Sequence, residues 1–330
     1  MPSPSRSSAR AAGRKIAIGI LAVALALGLI TAATVFGKSD RATFGKDVQW
    51  SFAPSMLHRR SYTASAQIDG RIFVAAGMVG NSGRPLNLFE RFDPAKREWT
   101  SLPFVPEAFS AAAGASLGSR MYVIGGNGDP KNKAVDGRQV FAYDAVRNRW
   151  TRKASLPAVR TNLAAVALDG EIYALGGLDP FHATRSVYIY NPDRNRWRSG
   201  PPLPEKLHAL AAVTFRGDLW VIGGQDAAGK AVNRVWIYHP NTKRWRAGPR
   251  MPFRLETAGA AATNLQIHVV LENKYLIYDP RTHRWRRGPS LETPRHALAV
   301  FAVDNSTLYA IGGCIAPILE DSAIVEKLPI

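Results

Sequence analysis

The stretch Ile172-Tyr173-Ala174-Leu175-Gly176-Gly177, followed by Tyr190-Asn191-Pro192-Asp193-Arg194-Asn195-Arg196-Trp197, decides the fold. An apolar run ending in two glycines reads as a strand that stops at a tight bend. Tyr190 and Trp197 stand seven residues apart, and the residues between them are turn formers. That spacing predicts two strands joined by a short turn. Upstream, Asp169-Gly170 marks another turn, and Ala164-Ala165-Val166 before it reads as a strand of small side chains.

The same unit recurs along the chain. The aromatic pairs are Phe92/Trp99, Tyr143/Trp150, Tyr190/Trp197, Tyr238/Trp245 and Tyr278/Trp285. The glycine pairs are Gly125-Gly126, Gly176-Gly177, Gly223-Gly224 and Gly312-Gly313, with Ala76-Gly77 as a weaker copy. Four strands at a period of about 40 to 50 residues, with no helix between them, fit the radial sheets of a propeller. The alanine-rich strand belongs innermost, where sheets crowd an axis. The tryptophan strand belongs outermost.

Trp50 lacks an upstream unit, and the last unit stops without a tryptophan. The two ends are complementary, so the N-terminal strand is expected to complete the last sheet and remove its open edge. The fold class is therefore all-β, a six-bladed propeller over residues 48–330. The fifth unit lacks the glycine pair. Only Glu272-Asn273-Lys274 separates its second strand from its third, which predicts a notch in the rim.

The double glycine followed by the aromatic pair resembles the kelch repeat, and the likeness runs from about residue 48 to 330, in a form similar to the central domain of galactose oxidase. The resemblance implies ligand binding on the face where the fourth-to-first and second-to-third strand loops emerge. It also implies contacts from arginines entering the first strand. Counting back sixteen residues from the first glycine position reaches Arg60, Arg160 and His296, with His208, Arg254, Glu256 and Arg295 as neighbours. Phe109, Leu207 and Leu255 hold the same position in other units. The second-to-third loops add Asn81, Arg84, Asn127, Asp129, Asp179, His182, Gln225 and Asp226. Such a set of cations and carboxylates suits an anionic ligand, an acidic sugar or peptide.

Ahead of the repeats, Ile16–Phe36 is 21 residues without a charge, preceded by Arg6, Arg10, Arg14 and Lys15. At helical rise it can cross a bilayer core. The basic flank predicts residues 1–15 in the cytoplasm and the propeller outside it. Residues 37–47 then form a linker. A cleaved signal peptide, with Thr31-Ala32-Ala33 near the cut, is the rival reading and would export the same body.

The formal charge is +18, most of it beside the outermost-strand tryptophans, as in Arg196-Trp197-Arg198 and Arg284-Trp285-Arg286-Arg287. Charged edges block sheet-to-sheet aggregation, and they can also lie against an anionic surface. Nucleic acid is not an expected partner of an exported chain without a nucleic-acid motif. No zinc spacing, nucleophile elbow or phosphate loop appears, so no metal or cofactor is expected. The single cysteine, Cys314, has no placeable Tyr/His set for a copper site such as that of galactose oxidase.

The first functional expectation is a membrane-tethered, extracytoplasmic binding module for a protein or glycan. The alternative is a metal-independent mutarotase or epimerase of an anionic sugar, which some exported bacterial kelch proteins resemble. That chemistry needs an acid, a base and an arginine. Glu256 with Arg254, or Glu107 with Arg60 and Arg160, are the catalytic candidates.

Overall fold

The alternation of small and apolar residues in the repeat puts a two-sided burial demand on each unit, and the chain meets it with sheets packed face to face. The computed structural model describes residues 48–80, 83–128, 136–316 and 318–330. The expected cytoplasmic tail, membrane segment and linker, together with Asn81 and Asp129, lie outside these residues. Among the described residues no helix is long and apolar enough to cross a membrane.

The described residues form six four-stranded antiparallel sheets. Sheet three shows the pattern: Ala164–Leu168 innermost, then Glu171–Leu175, Val187–Asn191 and, outermost, Arg196–Ser199. Tyr190 lies opposite Trp197 in register, as the spacing predicts. Sheet six combines Ala299–Val303, Thr307–Ile311 and Val325–Pro329 with Ser51–Ala53 from the N-terminal end. Ser51 pairs with Lys327 and Ala53 with Val325, so the orphan Trp50 strand does complete the last unit.

The apolar side chains collect in six cores, each between two consecutive sheets. Phe73 and Phe89 of sheet one meet Met121, Phe141 and Tyr143 of sheet two. The sixth core joins Tyr309 and Ile311 of sheet six to Ile72 and Phe92 of sheet one, which closes the circle. The innermost strands surround a central cavity of about 470 Å³ lined largely by Ala, Gly, Val and Thr. Small residues are obligatory there: a Cβ on Gly114 would stand 2.3 Å from the Ser65 nitrogen.

Two rings of hydrogen bonds tie the sheets together. Around the cavity, each N–H of Tyr62, Ala111, Asn162, Ala209, Thr257 and Ala297 donates to the carbonyl of the equivalent residue one sheet back, at 2.8–3.2 Å. All six residues sit at φ between 50° and 54°, a left-handed kink that turns the N–H out of its own sheet. At the outer edge, each tryptophan indole N–H donates to a carbonyl leaving the preceding sheet. The acceptors are Pro54, Pro103, Ala154, Pro201, Pro249 and Pro289.

Two stability predictions follow from this packing. Trp197→Phe keeps the ring contact to Tyr190 but removes the N–H to Ala154, and should cost about 1 kcal/mol in urea unfolding. His268 is buried, and burial, aided by the Arg286 charge, pushes its pKa down to about 4 from 6.5. The unfolded chain then binds the extra proton first. The stability from this group is present above pH 6.5 and is lost as pH falls toward 4, by about 3 kcal/mol. His268→Phe should remove that part of the acid destabilisation, measured as unfolding free energy against pH.

Candidate functional site

Each sheet exposes two kinds of loop at one end of the cavity. The loops between second and third strands fold into short rim hairpins, as in Leu178–Asp179 with His182–Ala183 and Met78–Val79 with Arg84–Pro85. In sheet six the hairpin Cys314–Ile315 with Glu320–Asp321 also pairs with Arg295–His296. Sheet five has none: Leu271 pairs directly with Lys274 across a two-residue turn, which leaves the expected gap in the rim.

The arginines at the entrance to the first strands are not at the mouth but beneath it. Arg60 is fully buried; it donates to Glu90 Oε1 at 2.8 Å and to the carbonyls of His58 and Val74. Arg295 is fully buried as well; it donates to Glu326 Oε1 at 3.0 Å and to the carbonyls of Thr293, Gly312 and Ile324. Arg160 is 2% exposed, lies over the Tyr188 ring and pairs with Asp179 at 2.8 Å. These groups lock loop carbonyls at the ends of sheets. Arg60 and Arg295, expected as ligand contacts, present no exposed side chain at this end. Their partners, Glu90 and Glu326, are equally buried; Glu90 also binds His58 and the Leu57 N–H, and the Arg60 Nε is left without a partner.

One residue later the ring reads Ser61, Ser110, Thr161, His208, Glu256 and His296, each preceding a kinked residue of the inner hydrogen-bond ring; only the last three are partly open to solvent. Counting back sixteen residues from the glycine position reaches the buried set instead. It also misplaces the last member, because sheet six has a three-residue turn, Asp304-Asn305-Ser306, where other sheets have two. Arg295, and not His296, is the equivalent of Arg60. Ser61, Ser110 and Thr161 were missed for this reason; all three are buried, and Ser61 donates to Asp321 at 2.5 Å.

His208, Glu256 and His296 occupy three consecutive ring positions beside the gap of sheet five, and all are half-buried. Burial pushes the Glu256 carboxyl above its ordinary value, Glu272 adds to the rise and a hydrogen bond from Gln225 opposes it. Burial pushes both imidazoles down, against nearby Asp226 for His208 and against Glu272 and Asp321 for His296. His208 pairs through its backbone with Gln225, and the His296 ring meets Tyr62 edge-on at 6.5 Å. Neutral imidazoles, a half-buried carboxyl, an amide and a phenol make a hydrogen-bonding mouth. They do not make a cationic one.

The remaining candidates scatter. Arg254 is exposed and makes no ion pair among the described residues. Asn127 is exposed and bridges Ser110. Asp226 accepts from the N–H groups of Ala228 and Lys230, so it shapes its own turn. Glu107 does not join Arg60 and Arg160; it turns outward, 3.7 Å from Arg152 on the outermost strand of sheet two. Burial, opposed by Arg152, pushes its pKa up. Burial and Asp321 raise the Cys314 thiol to about 11, so it is protonated at neutral pH. Among the described residues no group of three His, Cys, Asp or Glu is arranged to hold a metal ion.

Radial four-stranded sheets tied by a tyrosine–tryptophan repeat define a kelch-type propeller, and comparison with known proteins agrees. The family model of the KLHDC2/KLHL20/DRC7 Kelch-repeats domain matches residues 62–268, and the chain belongs to that family. Alpha-scruin of Limulus polyphemus is 33% identical over 132 residues, 39% of this chain and 14% of that protein. Kelch-like protein 35 of Mus musculus is 33% identical over 129 residues, again 39% of this chain and 22% of its own length. The matched region is thus a small part of these curated relatives. The solved structure titled "Structure of YjhT" superposes with a TM-score of 0.71 at 15% identity, covering 82% of this chain and 95% of that one. It shares the fold.

If Arg295 is a structural lock, Arg295→Met should leave Glu326 buried without its partner and cost about 3–5 kcal/mol. The double variant Arg295→Met/Glu326→Leu should recover much of that loss. Urea unfolding of the two variants is the measurement.

Proposed function

We propose that this chain is a six-bladed kelch propeller acting as a binding module, held outside the cytoplasm by the Ile16–Phe36 segment. Its ligand, a protein or a glycan, is taken on the mouth face. The observation that carries this reading is where apolar side chains remain in water. Phe181, Ile318 and Leu319 stand at the tips of rim hairpins, and Leu57 and Phe104 on the fourth-to-first loops of the same face. Phe181 is 85% exposed. Apolar tips around a polar centre are what a partner's surface covers.

The sheet-five gap opens this surface toward His208, Glu256 and His296, which supply hydrogen bonds and an orientation. Kelch domains as a class serve as protein-interaction modules, which favours a protein over a glycan. The sugar-isomerase reading loses the set of Glu107 with Arg60 and Arg160, because those arginines are engaged with Glu90 and Asp179, and it rests on Glu256 with the exposed Arg254. An anionic ligand would likewise depend on Arg254.

Site-specific photocrosslinking in cells tests this. A crosslinking side chain at Phe181 or Leu319 should give a discrete adduct, and one at Val146 or Leu265, on the opposite face, should not. Adducts from the opposite face alone would move the binding surface there and reject this assignment.

A further inference from the structure

We propose that the face opposite the mouth docks on a bilayer rich in anionic phospholipid, so that the ligand face is turned away from the membrane. This rests on the reading of Ile16–Phe36 as a membrane anchor. The first ground is the direction of the chain. In sheet six Ala53 pairs with Val325, and Val325 pairs with Ile311 beside the rim hairpin. Ser51 pairs with Lys327, toward the other end of the sheet. The N-terminal strand therefore runs from the turn face to the mouth face, and Val48 lies at the turn-face edge. Eleven residues, 37–47, span at most about 40 Å whatever their conformation, which bounds how far Val48 can stand from the expected anchor.

The second ground is charge. Arg149, Arg196, Arg244 and Arg284 immediately precede the tryptophan in sheets two to five. In register they lie opposite Asp144, Asn191, His239 and Asp279, at the turn end of each sheet. All four are exposed, and among the described residues none makes an ion pair. Arg194 and Lys243, in the same turns, are likewise exposed and unpaired among the described residues. Among the carboxylates nearby, Asp144 is engaged by Arg147, Asp218 by His239 and Asp279 by Arg281, while Asp193 is exposed and makes no ion pair among the described residues. The equivalent positions in sheets six and one are Gln49 and Glu98. Arginine directly before the tryptophan is thus confined to an arc of four adjacent sheets, while Lys96 and Arg97 carry exposed positive charge into the equivalent turn of sheet one.

The arc differs from a solubilising edge in two ways. Protection of edges would call for charge on all six outermost strands, yet Ser51–Ala53 carries none, and Glu98–Ser101 carries an acid in place of the arginine. Val146 and Leu265, at 79% and 70% exposure, also stand in turns of this face. Guanidinium groups bind phosphate in paired hydrogen bonds, and exposed aliphatic tips settle at the headgroup boundary. Attraction across this gap is confined to about 8–10 Å at physiological salt, so the arc acts only in close contact with the surface.

The test uses the full chain with Cys314→Ser, reconstituted into vesicles and labelled at Asn241→Cys on the turn face or Phe181→Cys on the mouth face. A headgroup-attached quencher reports proximity. With phosphatidylglycerol present, the Asn241 label should be quenched and the Phe181 label spared. High salt should relieve the quenching, as should the variant Arg149→Gln/Arg196→Gln/Arg244→Gln/Arg284→Gln. Equal quenching of the Asn241 label in vesicles of phosphatidylcholine alone, or stronger quenching of the Phe181 label, overturns the proposal. Resistance of the chain to alkaline extraction reads the anchor separately. If the chain is extracted, the anchor reading fails. The released protein is then sedimented with the same two vesicle types. Binding to the anionic vesicles that falls by roughly fivefold per arginine removed sustains the docking surface. Binding to heparin or DNA with none to anionic vesicles assigns the arc to another polyanion and rejects the membrane.

Discussion

The closed circle of six backbone hydrogen bonds around the cavity is the constraint on which the rest of the structure depends. Each bond joins one sheet to the next, so no sheet can shift without disturbing two neighbours. The geometry requires a residue at positive φ in every unit, and only Asn162 among the six is a residue that accepts this conformation readily. Tyr62, Thr257 and the three alanines carry a local strain that the ring and the cores between sheets offset. The kink then determines the site. The residue before it is held at the cavity mouth, and the residue before that is driven into the interface between sheets.

The fate of the charges follows from this. A side chain two positions ahead of the kink has no water to reach, so an arginine there must find carbonyls and a carboxylate. Arg60 with Glu90 and Arg295 with Glu326 do so, and the units with Phe109, Leu207 and Leu255 fill the same space with apolar groups. The equivalence of arginine and leucine at one position shows that packing decides this place. The arginines entering the first strands of sheets one, three and six are thereby kept from the mouth, and much of the exposed positive charge appears on the outermost strands and their turns.

Much of this was legible in the residues. The Tyr190/Trp197 spacing gave a register that the sheet reproduces, and the orphan Trp50 found its place in sheet six with its indole on Pro289. The missing glycine pair of the fifth unit announced the missing rim hairpin. The site was read less well. A count of sixteen residues from the glycines pointed to the row beneath the mouth, because two neighbouring residues in a loop look alike until the kink sets which one faces the cavity. Glu107 was expected beside Arg60 and Arg160, yet it faces Arg152 on the outer strand. Sequence distance along a loop carries no information about the side of the sheet to which a carboxyl turns.

By itself the sequence determined the repeat, the strand order within each unit and the joining of the two chain ends, because these rest on local turn chemistry and on the period of apolar residues. Only the tertiary structure decided which polar groups are exposed. Burial at this fold is set by the approach of one sheet to the next, a relation between residues roughly 50 positions apart that no local pattern records. Arginine reads the same on the page whether it meets a ligand, a lipid or a buried glutamate. The ring of kinked residues, closed through space between Tyr62 and Ala297, separates those cases.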